Sequence, residues 1–384
     1  MKILHTCESY QPSVGGVQEV VKQLSERLVK MGHEVTVATS HHSKRKSLLI
    51  NGVAIKEFKI NGNIFKGVSG EIKKYQDFLV QSDFDLIVNF AGAQWATDLS
   101  MPVLEKIKAK KVFVTTWAYP PSYKKYVEAT KKWLGYYDSL VYLADNEADM
   151  NFAKENGLKN IAVITNGADD VEFLKPININ IRKKLNIPVD NFLILHVGSH
   201  TGKKGHSEAI EIFNKTKIKN ATLVIAGNYF GIRGCALHCS FKKVLTPLKL
   251  SRDKQLIIKN LNREEILALY NEADLFILPS NIECEPIVLF ESMASKTPFL
   301  TTDVGFTSDI IRYSGSGWLM PTVKFSNGHV KADIDLSVKL LEDIMPDKTK
   351  MLKMADAGFK AWQEKFTWQK IAEQYEKLYK ELII

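Results

Sequence analysis

The pattern of apolar and polar residues at the start of the chain predicts a strand, a helix and a second strand. Residues 2–7, KILHTC, are a short apolar run typical of a buried β-strand, and the turn-rich loop ESYQPSVGG follows. The next apolar residues have the spacing of one helical face: Val17, Val20, Val21, Leu24 and Leu28. Gly32 ends this helix, and EVTVATS is the next strand. The pattern predicts a βαβ unit with glycines at its strand-to-helix turn.

The same pattern returns at residue 192. FLILHVG reads as a strand, SHTGKKGH as a polar glycine-rich loop, SEAIEIFNKT as a helix and ATLVIAG as the next strand. Further strands follow in each half, FDLIVNF and KVFVTTW in the first and LIIKNL and DLFILPS in the second. Each half therefore opens a parallel sheet with a glycine loop at the carboxyl end of its first strand, where open α/β sheets bind ligands.

The alternation predicts an α/β fold of two Rossmann-like, doubly wound domains. The chain has 384 residues, which is too long for one ordinary core. We expect an N-terminal domain over 1–170, a linker over 171–190 and a C-terminal domain over 191–362. Residues 363–384 include an amphipathic helix, which we expect to cross back to the N-terminal domain.

Composition indicates a soluble protein of a reducing compartment. Apolar residues make up 45% of the chain and charged residues 25%. The four cysteines are too few and too scattered for a disulfide framework, and no apolar run approaches the roughly 20 residues that span a bilayer. The N-terminus does not read as a signal peptide, so we expect a cytoplasmic location. Cys235, His238 and Cys239 fall short of a tetrahedral metal site, and we interpret their segment as an insertion.

The net charge of +9 favours anionic partners. Residues 101–135 hold eight lysines against Glu105 and Glu128. Within SYKKYVEATKKWLGYY, lysines alternate with five aromatic residues: Tyr123, Tyr126, Trp133, Tyr136 and Tyr137. Two interpretations remain open, a peripheral contact of residues 101–137 with the inner face of the plasma membrane, and a solvated helix with its aromatics in the core. The segment matches no RNA-binding motif, so we expect no nucleic-acid partner.

The two glycine loops differ in what they can hold. In PSVGGV, Gly15 and Gly16 either let a phosphate approach the backbone or merely shape a turn. In GSHTGKKGH, the distance from Gly198 to Gly202 is one residue short of Walker spacing, and Lys204 stands where Ser or Thr would bind magnesium. The G-x-G-x-x-G fingerprint is absent from both loops. ATP hydrolysis and nicotinamide binding are therefore not supported, whereas Lys204 suits a diphosphate.

The stretch NIECEPIVLFESMASKTPFLTTDVG places two glutamates around an apolar run. Pro279 ends the preceding strand, and Pro286 fits the first turn of the following helix, PIVLFESMAS. Glu283 then lies in the loop before the helix, and Glu291 lies a turn and a half inside it. On spacing alone, the two carboxylates are either solvated ends of a core element or brackets around one end of a ligand.

Glu283-x7-Glu291 resembles the E-x7-E signature of retaining glycosyltransferases of the GT-B fold. More specifically, it is similar to that of the large family four, or glycosyl transferases group 1. Four further segments match family segments in order along the chain: PSVGGVQEVVKQLSERLVKMGHEVTV, VITNGAD, VGSHTGKKGH and LYNEADLFILPS. The resemblance covers most of both domains and implies that the two domains face each other.

The resemblance implies transfer of a sugar from a nucleotide diphosphate donor held in the C-terminal domain. It assigns Glu283 to the donor sugar, Glu291 to the ribose and Lys204 to the phosphates, with Glu283 and Lys204 as the catalytic pair. It also assigns five further positions to the donor: the backbone amides near Ile287 and Val288, the loop residues Ser199 and His200, and Gly16, to which we add Gly15. UDP is the first choice for the nucleotide and GDP the second, and we expect neither a metal nor a cofactor.

The chain departs from the family pattern at two places. Ser199 occupies the usual position of an arginine, and His200 beside it is the candidate for part of the missing charge. Many members carry a histidine after the strand that corresponds to KVFVTT. The position that matches it best in this chain is Thr115 or Thr116. We assign these threonines, with Tyr123, to the acceptor side.

The resemblance implies a transferase of a hexose-type sugar that acts on a glycan or lipid-linked acceptor in bacterial surface polysaccharide synthesis. Two enzymatic alternatives share the architecture, a sugar-nucleotide epimerase and a phosphorylase. A non-catalytic nucleotide-sugar-binding module is the third alternative, because Ser199 and Thr115 replace family residues.

Overall fold

The computed structural model describes residues 1–116, 124–227 and 253–384. These residues form two compact units. The first unit joins Met1–Asn166 to Trp368–Ile384, and the second unit is Gly167–Thr367. Tyr123, predicted on the acceptor side, and the insertion with Cys235, His238 and Cys239 lie outside the described residues.

The first unit alternates strands and helices along most of its length. Its strands are β1 (Lys2–Thr6), β2 (Glu34–Ser40), β3 (Leu49–Ile50), β4 (Val53–Phe58), β5 (Ile60–Asn63), β6 (Gly67–Gly70), β7 (Leu86–Phe90), β8 (Lys110–Val114), β9 (Ser139–Tyr142) and β10 (Ile161–Val163). Its helices are α1 (Gly16–Lys30), α2 (Ile72–Gln81), α3 (Trp95–Ser100), a 3₁₀ helix (Met101–Lys106), α4 (Lys124–Leu134) and α5 (Glu147–Glu155).

Eight of these strands form one sheet in the order β10-β9-β8-β7-β1-β2-β4-β3. Every neighbouring pair is parallel except the antiparallel pair β3 and β4. β1 and β7 are almost completely buried, as expected for central strands that are covered on both faces. The strand order reverses between β1 and β7, which is the switch point of a doubly wound sheet.

The second unit repeats the alternation. Its strands are β11 (Phe192–Val197), β12 (Ala221–Ala226), β13 (Lys254–Lys259), β14 (Leu275–Leu278), β15 (Phe299–Thr302), β16 (Trp318–Met320), β17 (Thr322–Lys324) and β18 (Val330–Ala332). Its helices are α6 (Asp170–Leu174), α7 (Ile181–Leu185), α8 (His206–Lys215), α9 (Arg263–Glu272), α10 (Ile287–Ala294), α11 (Thr307–Ser314), α12 (Ile334–Ile344), α13 (Lys348–Ala361) and a π-helical turn (Trp362–Phe366).

Six strands of the second unit form a fully parallel sheet in the order β13-β12-β11-β14-β15-β16. This is the strand order of a dinucleotide-binding fold, although its glycine fingerprint is absent. The order reverses between β11 and β14, so the loops that follow these two strands leave the sheet side by side. The fold prediction of two Rossmann-like doubly wound domains is confirmed.

The segment 171–190, predicted as the linker, contains α7 and all of α6 except Asp170, and it belongs to the second unit. Phe173, Ile181, Leu185 and Ile187 are buried in that unit's core. Asn180 caps α7 by accepting a hydrogen bond from the Lys183 amide. The polar turns that suggest a linker in the sequence are therefore the caps and connections of two short helices.

The last helix, α14 (Trp368–Ile383), belongs to the first unit. Ile371, Tyr375 and Tyr379 lie on its buried face, and its residue Glu376 accepts from His33 Nε2 at 2.9 Å. Fully burying side chains of this size contributes about 1.5–3 kcal/mol each. The helix is thus part of the first unit's core even though the whole second unit separates it from the rest of that unit in the sequence.

The basic stretch around α4 places two of its aromatic residues in the core. Tyr126 and Tyr137 are buried, and Trp133 is partly buried with the Lys132 ammonium 4.3 Å from its ring centroid. Tyr136 is exposed. In the described ranges, no helix is both long enough and apolar enough to cross a membrane.

Candidate active site

The glycine loop of the second unit and the loop of Glu283 lie side by side at the switch point of its sheet. The first, residues 198–205, follows β11, and the second, residues 279–286, follows β14. The Asn281 amide donates to the Lys203 carbonyl oxygen at 2.8 Å, which joins the two loops directly. The structure thus brings together two segments that are about 80 residues apart in the sequence.

Lys204 and Glu283 form an ion pair at this point. Lys204 Nζ lies 2.7 Å from both carboxylate oxygens of Glu283, and the Ser280 hydroxyl donates to Glu283 Oε1 at 2.8 Å. The Glu283 side chain is 7% exposed and that of Lys204 is 30% exposed. The two residues predicted as the catalytic pair are therefore in contact, with the ammonium facing the more open side.

Two glycines make this arrangement possible. Gly205 has φ of +70°, and a Cβ there would lie 1.9 Å from the Pro279 carbonyl oxygen. Gly305 has φ of +58°, and a Cβ there would lie 2.2 Å from the Cys284 carbonyl oxygen and 2.6 Å from that of Glu283. Both positions need a residue that adopts left-handed backbone without a side chain. The loops around Lys204 and Glu283 consequently pack backbone against backbone.

Helix α10 starts one residue later than the sequence suggests. Pro286 has an extended ψ of 114° and is the N-cap, so Ile287 and not Pro286 is the first helical residue. Extended backbone at Pro286 lets the chain turn from the Glu283 loop into the helix. The first amides of a helix have no intrahelical partner, so those of Ile287 and Val288 point toward the loop edge and favour an anion there.

Glu291 is held by an arginine that the sequence does not single out. Arg263, the first residue of α9, places Nη1 2.6 Å from Glu291 Oε1 and Nη2 2.7 Å from Glu172 Oε2. Burial alone would lower the pKa of Arg263, but the carboxylates of Glu291 and Glu172 raise it above its usual value. Burial, and then the charge of Glu291, raise the pKa of the neighbouring Tyr270 well above its usual value. The Glu291 carboxylate is therefore 9% exposed and fixed in place by Arg263.

The structure buries His200 inside the fold rather than at the loop surface. His200 is fully buried, and its ring stacks on that of His206 at a centroid distance of 4.3 Å. His206 also contacts His196, whose Nδ1 donates to the Ile277 carbonyl oxygen at 2.8 Å. Burial, and then His206, lower the pKa of His196 well below its usual value. Ser199, in contrast, is only partly buried.

In the first unit, the predicted residues lie at separate points of the sheet edge. Gly15 precedes α1 with extended backbone, and a Cβ on Gly16 would meet nothing within 4 Å. Thr115 is buried, and its hydroxyl donates to the Val141 carbonyl oxygen at 3.1 Å, so it is bound into the sheet. Thr116 beside it is partly exposed.

Sequence reasoning missed Arg263 and Ser280, the partners of the two signature glutamates. Ser280 is three residues before Glu283, so its contact could have been proposed from the loop alone. Arg263 starts a helix marked by the Asn262–Glu265 capping box, but nothing in the sequence links it to Glu291.

The second unit thus presents a lysine, two fixed carboxylates and a helix N-terminus along the carboxyl edge of its sheet. A cation and free amides suit a phosphate group, and carboxylates accept hydrogen bonds from the hydroxyls of a sugar or ribose. Within the described part of the chain, no group of three or more His, Cys, Asp or Glu side chains is placed to hold a metal ion.

Two family models match consecutive parts of the chain. Residues 178–360 match the family described as "Glycosyl transferases group 1". Residues 14–172 match the family described as "Glycosyltransferase Family 4". The first match contains Lys204, Glu283 and Glu291, and the second contains Gly16 and Thr115.

Individual relatives are similar over different lengths. An uncharacterized glycosyltransferase of Methanocaldococcus jannaschii is 25% identical, over 99% of this chain and 98% of its own. An O-antigen biosynthesis glycosyltransferase of Escherichia coli is 26% identical over 65% of this chain and 63% of its own. Among solved structures, Anabaena HepE in complex with UDP and glucose aligns over 99% of this chain and 100% of that one. That alignment has a TM-score of 0.75 and 18% sequence identity.

Proposed function

Because this chain is a glycosyltransferase of group 1 with the GT-B fold, we propose that it transfers a hexose-type sugar from a nucleotide diphosphate donor to a glycan or lipid-linked acceptor, with retention of configuration. The observation that carries this proposal is the ion pair of Lys204 and Glu283, beside the start of α10, at the switch point of the second sheet. We place the reaction in bacterial surface polysaccharide synthesis, in line with the E. coli relative.

The chemistry follows from the leaving group, a nucleoside diphosphate. Its charge grows as the bond between the sugar C1 and the phosphate oxygen breaks, and a nearby cation and helix N-terminus stabilise that charge. Lys204 and the amides of Ile287 and Val288 supply both. In this proposal Lys204 moves from Glu283 onto the diphosphate when the donor binds, which frees the Glu283 carboxylate for the sugar hydroxyls.

The acceptor hydroxyl then attacks C1 from the face that the diphosphate leaves. A bond forms between the acceptor oxygen and C1, the bond from C1 to the phosphate oxygen breaks, and the acceptor proton goes to the leaving phosphate oxygen. Glu291, fixed by Arg263, accepts hydrogen bonds from the ribose. No step requires a metal ion, and we propose UDP as the first nucleotide to test, as in the HepE complex, and GDP as the second.

The test is an incubation with radiolabelled UDP- and GDP-sugars, with and without isolated bacterial membranes. Wild type is compared with Glu283→Ala and with Glu211→Ala, a control on the exposed face of α8. We expect transfer by wild type and the control and none by Glu283→Ala. NMR of the product at C1 then establishes whether configuration is retained.

Other outcomes would identify the alternatives. Nucleotide release that needs no acceptor indicates an epimerase, and turnover that requires inorganic phosphate indicates a phosphorylase. Donor binding in calorimetry without any turnover favours a binding module. If neither binding nor turnover is seen with any donor, the donor site assigned to Lys204 and Glu283 is wrong.

A further inference from the structure

The first unit has its own switch point, between β1 and β7, and Glu8 lies there. The loop after β1 and the loop 91–94 after β7 leave the sheet side by side at its carboxyl edge. Ala91 and Ala93 have φ of +61° and +56°, a left-handed conformation that is uncommon for residues other than glycine. Such conformations persist only where the surroundings enforce them, and they cluster at functional sites.

The backbone of Glu8 is fixed from two sides. Its amide donates to the side-chain oxygen of Gln94, which belongs to the β7 loop. Its carbonyl oxygen accepts from the Ser40 amide at 3.0 Å and the Thr39 hydroxyl at 3.3 Å, at the end of β2. Glu8 therefore has a defined position between three neighbouring strands.

The side chain of Glu8, in contrast, makes no hydrogen bond or ion pair with any residue in the described ranges. It is partly buried, so water reaches it only in part. A second carboxylate, Asp98, lies close enough to raise the pKa of Glu8, and each of its oxygens already has a partner: Oδ1 accepts from the Tyr126 hydroxyl at 2.8 Å and Oδ2 from the Ile64 amide at 2.9 Å. The Asp98 side chain thus holds parts of the fold together, whereas the Glu8 carboxylate contributes no hydrogen bond to the fold in the described ranges.

The position of Glu8 in the fold destabilises its ionised form. Burial, and then the charge of Asp98, raise the pKa of Glu8 above its usual value, and Lys66 opposes them. A partly desolvated carboxylate next to a like charge destabilises the folded chain when it is ionised. Perturbed carboxyl groups in such positions are candidates for substrate binding.

We propose that Glu8 binds the acceptor, with its carboxylate accepting a hydrogen bond from an acceptor hydroxyl at the carboxyl edge of the first sheet. This inference rests on the proposed glycosyl transfer and names an acceptor residue that the family resemblance does not supply. Glu8 orients the hydroxyl and does not keep its proton, which goes to the leaving phosphate oxygen as described above.

The charges of Glu8 and Asp98 also determine which kind of acceptor group can bind beside Glu8. A phosphate or carboxylate beside Glu8 would meet a negative charge from Glu8 and a second from Asp98. The group that Glu8 binds is therefore a neutral, hydroxyl-rich one, a sugar or polyol. Any anionic part of the acceptor lies away from Glu8, and Lys66 supplies the cation that acts on this carboxylate from the hairpin of β5 and β6.

The stability of variants separates a binding role from a structural one. Because the pKa of Glu8 is raised in the folded chain, the ionised form destabilises the fold above that pKa, and this penalty disappears as the pH falls through it. Glu8→Gln is therefore expected to melt at the same or a higher temperature than wild type at pH 7. The difference is expected to vanish near pH 4, where carboxyl groups become protonated.

The experiment measures transfer to methyl hexosides and to isolated bacterial membranes by wild type, Glu8→Gln and Glu34→Gln. Glu34 is the matched control, an exposed glutamate at the amino end of β2. Replacing the charged acceptor with a neutral amide, which makes a weaker hydrogen bond, predicts a fall of about 10-fold in kcat/KM for the acceptor with Glu8→Gln. Donor affinity in calorimetry is expected to stay unchanged. Wild-type kcat/KM is expected to rise with pH as Glu8 ionises, and Glu8→Gln is expected to lack this rise.

Two results would overturn the inference while leaving the transferase intact: Glu8→Gln transfers as well as wild type, or it loses transfer and melts at a lower temperature. If wild type binds the donor but transfers to no acceptor, the proposed function fails and the inference fails with it. The two failures are therefore distinguishable by the behaviour of wild type alone.

Discussion

The ion pair of Lys204 and Glu283 predicts an asymmetric response to mutation. Lys204→Met leaves the Glu283 carboxylate 7% exposed, with the Ser280 hydroxyl as its remaining partner among the described residues. Glu283→Gln leaves an ammonium on a side chain that is 30% exposed, which water can solvate. The lysine variant should therefore destabilise the second unit more than the glutamine variant.

The burial of Lys204 and Glu283 determines how much unfolding free energy each variant loses. Removing one partner of a fully buried ion pair costs about 3–5 kcal/mol. Partial exposure of Lys204 and the retained Ser280 contact reduce this to about 2–3 kcal/mol for Lys204→Met, against about 1 kcal/mol for Glu283→Gln. The double variant buries no unpaired charge and should also lose only about 1 kcal/mol. For a unit of this size, each kcal/mol shifts the melting temperature by about 2–4 °C.

Thermal unfolding of the wild type, the two single variants and the double variant, followed by calorimetry, measures these differences. We expect Lys204→Met to lower the melting temperature by about 4–12 °C and the double variant to recover most of that loss. Adding UDP should raise the melting temperature of wild type but not that of Lys204→Met, because the cation that binds the diphosphate is gone. Equal losses in the two single variants, or a double variant whose loss is the sum of theirs, would refute the reasoning.

Three further predictions concern backbone space and the second glutamate. Gly205→Ala should prevent the second unit from folding, since its Cβ would lie 1.9 Å from a backbone carbonyl oxygen, and circular dichroism of the expressed variant measures this. Gly16→Ala should fold normally, because its Cβ meets nothing within 4 Å. A fall in the turnover of this variant would show that a ligand approaches Gly16, and unchanged turnover would exclude that role. Arg263→Gln should weaken UDP binding by about 10-fold and reduce the preference for UDP over 2′-deoxy-UDP in calorimetry, because Glu291 loses its partner. The exposed Arg312→Gln is its control, and equal behaviour of the two arginine variants would contradict the role of Arg263.

The sequence alone predicts the repeated βαβ pattern because strand and helix periods are local. The apolar face of Val20, Val21, Leu24 and Leu28 is buried in α1, as its spacing predicts. The segment 171–190 misleads because its polar residues are helix caps, and a cap and a linker turn use the same residue types.

The contacts within the candidate site cannot be predicted from local sequence patterns. Glu283 and Lys204 are individually recognisable from their motifs, but their contact depends on the order of strands β11 and β14 in the sheet. The pairing of Arg263 with Glu291 depends in the same way on how α9 packs beside α10, which no local pattern encodes. His200 illustrates the converse, because its burial against His206 is a matter of packing and not of motif.

Helix α14 also determines when the first unit can be completed during synthesis. Met1–Asn166 leaves the ribosome first, but its partner segment Trp368–Ile384 follows only after all of the second unit has been made. At about 5–20 residues per second, the nascent first unit waits roughly 10–40 s for its final helix. The surface that Trp368, Ile371 and Tyr375 later cover is open throughout that interval. The second unit, being one uninterrupted stretch, can close before the first one does, so the domain synthesised first is the domain finished last.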